Sequence, residues 1–386
     1  MTMELRSITI RNYRSLHNVT LTDLPRFLVL VGANGTGKST FFDAFAFLRD
    51  ALSGNVTKAL DARGRFPEVV TRGHEQEPIF FELRVQVPIG GRKRLVTYGL
   101  EITQTNGRAS IEREYLHHGR KPEYLLDFCR GAGFATDDDS GRREEQQLES
   151  PDILAIKGLG QFQRFKAANA LRQLLENWHV SDFHISAARG RKESTGEAEH
   201  LSVSGDNLPR VAQYLYENHR PVFEKIMRRM QQRVPGIEGV SPTLTDDGYL
   251  ILRFRDGTFK TPFLDRYVSD GTIKMFAYLV LLHDPYPHPL LCIEEPENQL
   301  YPTLMDELAE EFREYARRGG QVMVSTHSPD LLNAMKLEEV YWLVKENGVS
   351  VIKRASEDKQ VERYMNDGDK MGALWKQGFF SGANPQ

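Results

Sequence analysis

The sequence predicts an α/β fold, with a mixed β-sheet core, an antiparallel β subdomain and a small helical lobe. Three observations carry that reading. The apolar run Phe27-Leu28-Val29-Leu30-Val31 opens directly into a glycine-rich turn and then a helical stretch. Two further short apolar runs, residues 290–293 and 322–324, each stop abruptly at polar residues. Continuous runs of three to five apolar residues bounded in this way are what strands covered on both faces look like. Residues 79–87 and 95–103 instead alternate apolar and polar around Gly90-Gly91, the pattern of a half-exposed hairpin.

Each element follows in order. Leu5, Ile8 and Ile10 alternate with polar neighbours as a first strand, and Val19 and Leu21 mark its return. A helix is expected over 38–52, with Phe41, Phe42, Ala44, Phe45 and Leu48 inward. After the hairpin, Asn106-Gly107 turns the chain into a strand over 111–116. Residues 131–151 are rich in charge, Gly and Ser, which predicts a mobile surface loop. Helical periodicity returns over 161–178, followed by a short strand at 183–186. Asp206 or Asn207 can cap a helix to about residue 217, with a second over 221–233. A hairpin around Asp256-Gly257 would join 250–254 to 258–263. Helices over 271–282 and 303–316 and a last strand pair, 339–344 and 349–353, complete the chain. The expected organisation is three segments: 1–130, 131–264 and 265–386. No stretch sustains the heptads of a coiled coil.

Composition narrows the function classes. The 386 residues carry a formal net charge of −3, so no global basic field points to nucleic acid. Cys129 and Cys292 lack metal-ligand or disulfide spacing. The N-terminus enters a strand pattern without a signal-peptide core, and the longest apolar run, 275–282, is too short to span a membrane. A soluble, cytoplasmic protein with no membrane partner is the expectation.

Residues 32–39 read Gly-Ala-Asn-Gly-Thr-Gly-Lys-Ser. This G-x-x-x-x-G-K-S stands between a strand and a helix, where it has physical meaning. Gly32, Gly35 and Gly37 let backbone N–H groups turn around phosphate oxygens, with Asn34 and Thr36 between them. Lys38 adds a point charge for the β- and γ-phosphates, Ser39 offers a hydroxyl to Mg²⁺, and Thr40 continues the first helical turn. The chemistry implied is ATP or GTP binding.

The run 290–293 ends in Glu294-Glu295-Pro296-Glu297-Asn298. Four apolar residues followed by two acids is the Walker B pattern, with Glu294 toward Mg²⁺ and Glu295 polarising the attacking water. Alone, it could equally be a buried strand ending in solvated carboxylates. The segment 322–325 ends in Thr326-His327-Ser328-Pro329, where His327 could donate to a γ-phosphate or be an ordinary loop histidine. Ser269-Asp270-Gly271-Thr272 opens the helix near residue 273. Ser269 is a plain N-cap candidate, and a helix start of this kind is also an anion site.

Four such elements in this order resemble the ATP-binding-cassette superclass, in its SMC/RecF-like and OLD-like branch. The chain is similar to a P-loop NTPase of ABC/RecF type. Ser269-Asp270-Gly271-Thr272 stands where the superclass carries L-S-G-G-Q. Glu294-Glu295-Pro296-Glu297-Asn298 resembles the I-E-E-P-E-N form, and Thr326-His327-Ser328-Pro329 the T-H-S-P switch, of OLD-like ATPases. Ile10-Arg11-Asn12-Tyr13-Arg14-Ser15-Leu16 resembles the branch's opening segment. The resemblance covers roughly residues 1–50 and 265–335.

It implies an ATP hydrolase using Mg²⁺ and working as a homodimer or higher homo-oligomer. ATP would be sandwiched between the P-loop of one copy and Ser269, Asp270 and Gly271 of the other. Asn298 would lie at the seam as the D-loop, and Arg14 would touch nucleotide on the P-loop side. The sequence departs from the superclass at Glu294 (an Asp elsewhere), at Asp270 (a Gly) and at Thr272 (a Gln). The Q-loop that would complete the Mg²⁺ set is not marked, and Gln76 is its candidate.

Lack of a coiled coil argues against SMC-type tethering. Residues 330–386 are too few for a Toprim nuclease domain, and Asp367-Gly368-Asp369 has no strand leading into it and reads as a turn. The nearest resemblance is to stand-alone AAA_21-type ATPases of bacterial anti-phage defence systems. It implies an ATP-gated dimer that senses or clamps DNA and controls a separate effector, a nuclease or toxin. A RecF-like repair ATPase and a slow nucleotide-gated scaffold holding a toxin inactive are the alternatives. For DNA contact, Arg92-Lys93-Arg94, Arg189-Gly190-Arg191-Lys192 and Arg228-Arg229 are local basic clusters that could as well be solvated faces. The aromatic tail around Leu374, Trp375, Phe379 and Phe380 could pack on the core or dock a partner.

Overall fold

The computed structural model describes residues 3–119, 122–190, 192–193 and 198–380, with only the backbone of 192–193. It resolves into two compact units. The first comprises residues 1–180, 288–292 and 319–386, and the second residues 181–287 and 293–318. Residues 131–180 thus belong with the N-terminal segment.

The first unit holds two sheets. An antiparallel eight-stranded sheet runs in the order Leu16–Leu21, Glu4–Tyr13, Ile79–Ile89, Arg92–Thr105, Arg108–His118, Glu123–Cys129, Ala132–Thr136, Arg143–Gln147. The second sheet has six strands, ordered Trp178–Ser181, Leu290–Glu294, Val322–Thr326, Phe27–Val31, Val340–Glu346, Val349–Arg354. Phe27–Val31 lies between parallel neighbours on both sides, and every one of its residues is buried. Such double coverage explains its unbroken apolar run. The buried side chain of Gln321 links the sheets, accepting from the Leu5 amide at 3.0 Å and donating to the Leu5 carbonyl at 3.1 Å.

Helix Lys38–Ser53 fills the first unit's core with Phe41, Phe42, Phe45 and Phe47. Phe47 stacks on Phe81 at 5.6 Å, and Tyr13 meets Phe81 edge-on at 5.4 Å. The Tyr13 hydroxyl donates to Asp43 at 2.7 Å. Burial first, and then the Asp43 charge, raises the Tyr13 pKa well above its usual value.

The second unit contains helices Leu208–Asn218, Arg220–Arg233, Asp270–Leu282 and Met305–Arg317. Its small sheet is ordered Lys192–Glu193, Tyr249–Asp256, Ile237–Leu244, with Phe263–Leu264 also on Tyr249–Asp256.

Several sequence expectations need correction. Residues 131–151 are no loop: Ala132–Thr136 and Arg143–Gln147 form the outer hairpin of the large sheet. Pairing to Glu123–Cys129 overrides their polar composition, because an edge strand exposed to water needs few apolar residues. The strand expected at 183–186 is displaced to Trp178–Ser181, and Ile185–Ala188 is a helical turn. Helix 161–178 starts later, as Lys166–Glu176. The main partner of Tyr249–Asp256 is Ile237–Leu244 rather than 258–263. Asp367-Gly368-Asp369 is a turn, with Gly368 at φ +102°. The aromatic tail packs inward: helix Met371–Lys376 buries Leu374 and Trp375, and Phe380 meets Trp342 at 5.0 Å.

Candidate nucleotide site

The first unit carries the glycine-rich loop. Gly35 and Gly37 adopt φ +78° and +105°, which glycine enters without steric cost. Gly37 is the N-cap of helix Lys38–Ser53 and supplies no side-chain cap, and a helix N-terminus of this kind favours an anion. Lys38 is buried, and its Nζ donates to the carbonyls of Gly32 at 2.7 Å and Ala33 at 3.2 Å. Thr36 is also buried, its hydroxyl donating to Ala33 at 2.8 Å. Asn34, Gly35 and Ser39 are exposed, and Thr40 is half-buried.

Two serines brace the loop from beneath. The Ser350 hydroxyl donates to the Thr36 carbonyl at 2.6 Å and lies 2.8 Å from Ser15 Oγ. The Ser350 amide donates to the Ser15 carbonyl at 2.7 Å. A Cβ on Gly37 would collide with both hydroxyls, and one on Gly32 would meet the Leu343 carbonyl at 2.7 Å. Ser15 belongs to the opening segment singled out in the sequence. Ser350 carried no local signal, since it lies far away in a terminal hairpin strand.

Arg14 adopts φ +49° and pairs with Asp43 at 3.0 Å, so it stands against the helix that follows the loop. Arg63 pairs with the same carboxylate at 2.8 Å. Gln76 is exposed in the turn before Ile79. Its neighbours His74 and Glu77 bond at 2.7 Å, and His74 packs on His17 with ring centroids 3.9 Å apart. His327 is exposed at the end of Val322–Thr326. Behind it, helix Pro329–Asn333 is held by the C-terminal helix, where the Gly372 amide donates to Asn333 at 2.9 Å.

The second unit carries the acidic and signature-like elements. Strand Leu290–Glu294 starts in the first unit, and its acidic end passes into the second. Glu294 is exposed. Glu295 has φ +43°, a left-handed conformation uncommon outside glycine, and Gln299 has φ +67°. Asn298 Nδ2 donates to Glu295 Oε2 at 2.8 Å, joining the candidate D-loop to the candidate base. Ser269 caps helix Asp270–Leu282 by accepting from the Thr272 amide at 3.3 Å. A Cβ on Gly271 would meet the Gln299 carbonyl at 2.5 Å, so the helix start and the 295–299 turn pack directly.

Lys274, which the sequence reading passed over, ties these parts together. It is buried in the helix, and its Nζ donates to the carbonyls of Asn298 at 2.9 Å and Glu295 at 3.3 Å. Burial lowers its pKa to about 8, partly offset by Glu297 and Glu295. One signal was present: Lys274 is the only charge in the apolar stretch 273–282. Arg189, read in the sequence only as part of a basic cluster, has a specific place. It pairs with Asp270 at 2.5 Å and donates to the Val268 carbonyl at 2.7 Å. The pair balances the Asp270 carboxylate at the helix start. Arg191, from the same basic cluster, lies outside the described residues.

The loop, with its positive-φ glycines and Lys38, suits the phosphates of a nucleoside triphosphate. The Ser39 hydroxyl in the first unit and the Glu294 carboxylate in the second are each oxygen groups of the kind Mg²⁺ prefers.

Comparison with known proteins agrees. Residues 27–333 match the family AAA_21, described as "AAA domain, putative AbiEii toxin, Type IV TA system". The chain is 19% identical over 414 residues to the Old nuclease of Escherichia phage P2, covering 96% of this chain but 64% of that relative, just under two thirds of its length. The SmcHead bound to the C-winged helix domain of ScpA shares its fold, with a TM-score of 0.55 at 16% identity over 94% of this chain and 99% of that one. The Smc head domain with an extended coiled coil, bound to the C-terminal domain of ScpA from Pyrococcus furiosus, aligns at a TM-score of 0.54 and 14% identity, over 94% of this chain and all of that one. The chain therefore belongs to the AAA_21 family and shares the fold of SMC head domains.

Proposed function

We propose that two copies of this chain close around ATP and Mg²⁺ at two composite sites, and that closure controls a separate nuclease or toxin in bacterial anti-phage defence. The observation that carries this reading is an exposed, Ser269-capped helix start in a chain with one glycine-rich loop. An exposed helix N-terminus is matched to an anion, and a second copy supplies one. The family description, which names a toxin system, and the nuclease relative support an effector partner. DNA is the proposed trigger.

In this reading Lys38 and the loop amides hold the phosphates, and Ser39 and Glu294 hold Mg²⁺, with Gln76 as a further ligand. Bound Mg²⁺ neutralises charge developing on the phosphates. Glu295 takes the proton from the attacking water, its carboxylate oriented by Asn298. His327 reports the γ-phosphate, and Ser269, Asp270 and Gly271 face the partner's nucleotide. Arg14 orders the loop's helix through Asp43.

Glu295→Gln tests this directly. It should slow ATP turnover about 10³-fold and trap an ATP-bound dimer visible by light scattering. Unchanged turnover, with no ATP-dependent dimer, would remove the mechanism.

A further inference from the structure

We infer that His17, His74 and Glu77 form a binding site for a divalent transition-metal ion of the zinc class. All three residues belong to the first unit, and the inference does not depend on the dimeric reading above.

Local structure brings the donors together. His17 stands in strand Leu16–Leu21, two residues beyond the Ser15 that braces the glycine-rich loop. His74 and Glu77 lie in a turn closed by two amides: Glu77 donates to the His74 carbonyl at 3.0 Å, and His74 to the Thr71 carbonyl at 3.0 Å. Buried Asn12 clamps that turn from the first strand. Its side-chain amide donates to the carbonyls of Glu77 at 2.7 Å and His74 at 3.1 Å, and its oxygen accepts from the Thr71 amide at 3.1 Å. The backbone carrying two of the three donors is therefore fixed before any ion binds, which lowers the entropic cost of assembling the set.

The side chains suit a metal. One ligand atom from each of the three residues lies within 4.8 Å of the others. The imidazoles are in ring contact, with centroids 3.9 Å apart, and His74 Nδ1 is 2.7 Å from Glu77 Oε1. Tetrahedral bonds of about 2.0–2.1 Å put ligand atoms roughly 3.4 Å apart, so small side-chain rotations close the set. His17 Nδ1 is shut off from water without a hydrogen-bond partner, so no hydrogen bond through that atom accounts for the place of the ring. Two imidazoles and a carboxylate are ligands zinc takes in three-residue sites, with a fourth position open to water. Mg²⁺ prefers an all-oxygen shell and competes poorly for such a set. His74 is half-buried and Glu77 exposed, which leaves a path for entry. Gln76 lies between these two ligands, so a bound ion also holds the turn that carries this candidate Mg²⁺ ligand.

Metal binding to the full chain, without nucleotide, tests the assignment. After chelation and removal of the chelator, Zn²⁺ alone should bind in calorimetry with a Kd on the order of micromolar. His17→Ala, His74→Ala and Glu77→Ala should each weaken binding at least about tenfold. His200→Ala, at the His200–Asp284 pair of the second unit, and Cys129→Ser, at an exposed thiol, should not. A second measurement uses the wild-type chain and so does not depend on the folding of any variant. Zn²⁺ should slow tryptic cleavage after the exposed Arg72 several-fold, because His17 ties the turn to a strand outside it, and Mg²⁺ at the same concentration should not. Binding that survives both His17→Ala and His74→Ala would overturn the site. So would the absence of Zn²⁺ protection at Arg72, or equal protection by Mg²⁺.

Discussion

The glycine-rich loop of the first unit and the 295–299 turn of the second are held in different ways. The glycine-rich loop is set by backbone conformation and close packing: Gly37 at φ +105° sits on Ser15 and Ser350, with no room for a Cβ. The 295–299 turn is held by side chains reaching across it. Lys274 ties down two of its carbonyls, Asn298 holds Glu295, and two non-glycine residues keep positive φ. A loop fixed by sterics is rigid and tolerates little change. A turn fixed by a few polar contacts can rearrange when a charge arrives, which suits a part that senses nucleotide.

The largest break in this contrast should come from Gly37→Ala. Strain at positive φ and collision with the serine pair should cost about 3 kcal/mol and abolish nucleotide binding. Thermal denaturation and binding of a fluorescent ATP analogue would check both.

Glu114 tests the packed character of the first unit by pH. It is buried beneath Tyr98, accepts from the Ala155 and Ile156 amides at 2.5 and 3.0 Å, and is pushed up to about 7 by burial. With the folded pKa raised, the folded state holds a proton that the unfolded state releases. Stability from this group is full below about pH 4.5 and declines as pH rises to 7, by on the order of 3 kcal/mol. Glu114→Gln should flatten that slope in denaturant titrations and leave ATP affinity unchanged.

Lys274→Met keeps the helix packed and releases the turn. Turnover should fall on the order of tenfold with little change in KM, because Glu295 loses its placement and the phosphate loop does not. An equal loss of ATP affinity would mean that the loop and the turn are not separable in this way.

The smallest effect is expected from Ser350→Ala, about 1 kcal/mol of stability and a few-fold weaker ATP binding. A larger effect on turnover than on binding would show that the brace is dynamic too.

How much could be read in advance follows the same division. The loop, its strand and its helix were legible because glycine spacing and apolar runs act over a few residues. Glu294, Glu295 and His327 were legible as polar stops to buried strands. The outer hairpin at 132–147 was not, since its strands exist only through pairing with their neighbours and carry little apolar patterning. The pairing of Arg189 with Asp270 and the brace at Ser350 were invisible for a related reason. Their partners lie 81 and 314 residues away, and no local pattern encodes such distances.

The sequence by itself determined that this is a nucleotide-binding α/β protein, because phosphate cradling is a short-range property of glycine, lysine and a following helix. The tertiary structure alone decided which groups hold those motifs in working shape. Ser350 under the loop, Lys274 under the turn and Arg189 on Asp270 are contacts between residues brought together only when the sheets and helices close, and burial strengthens the first two.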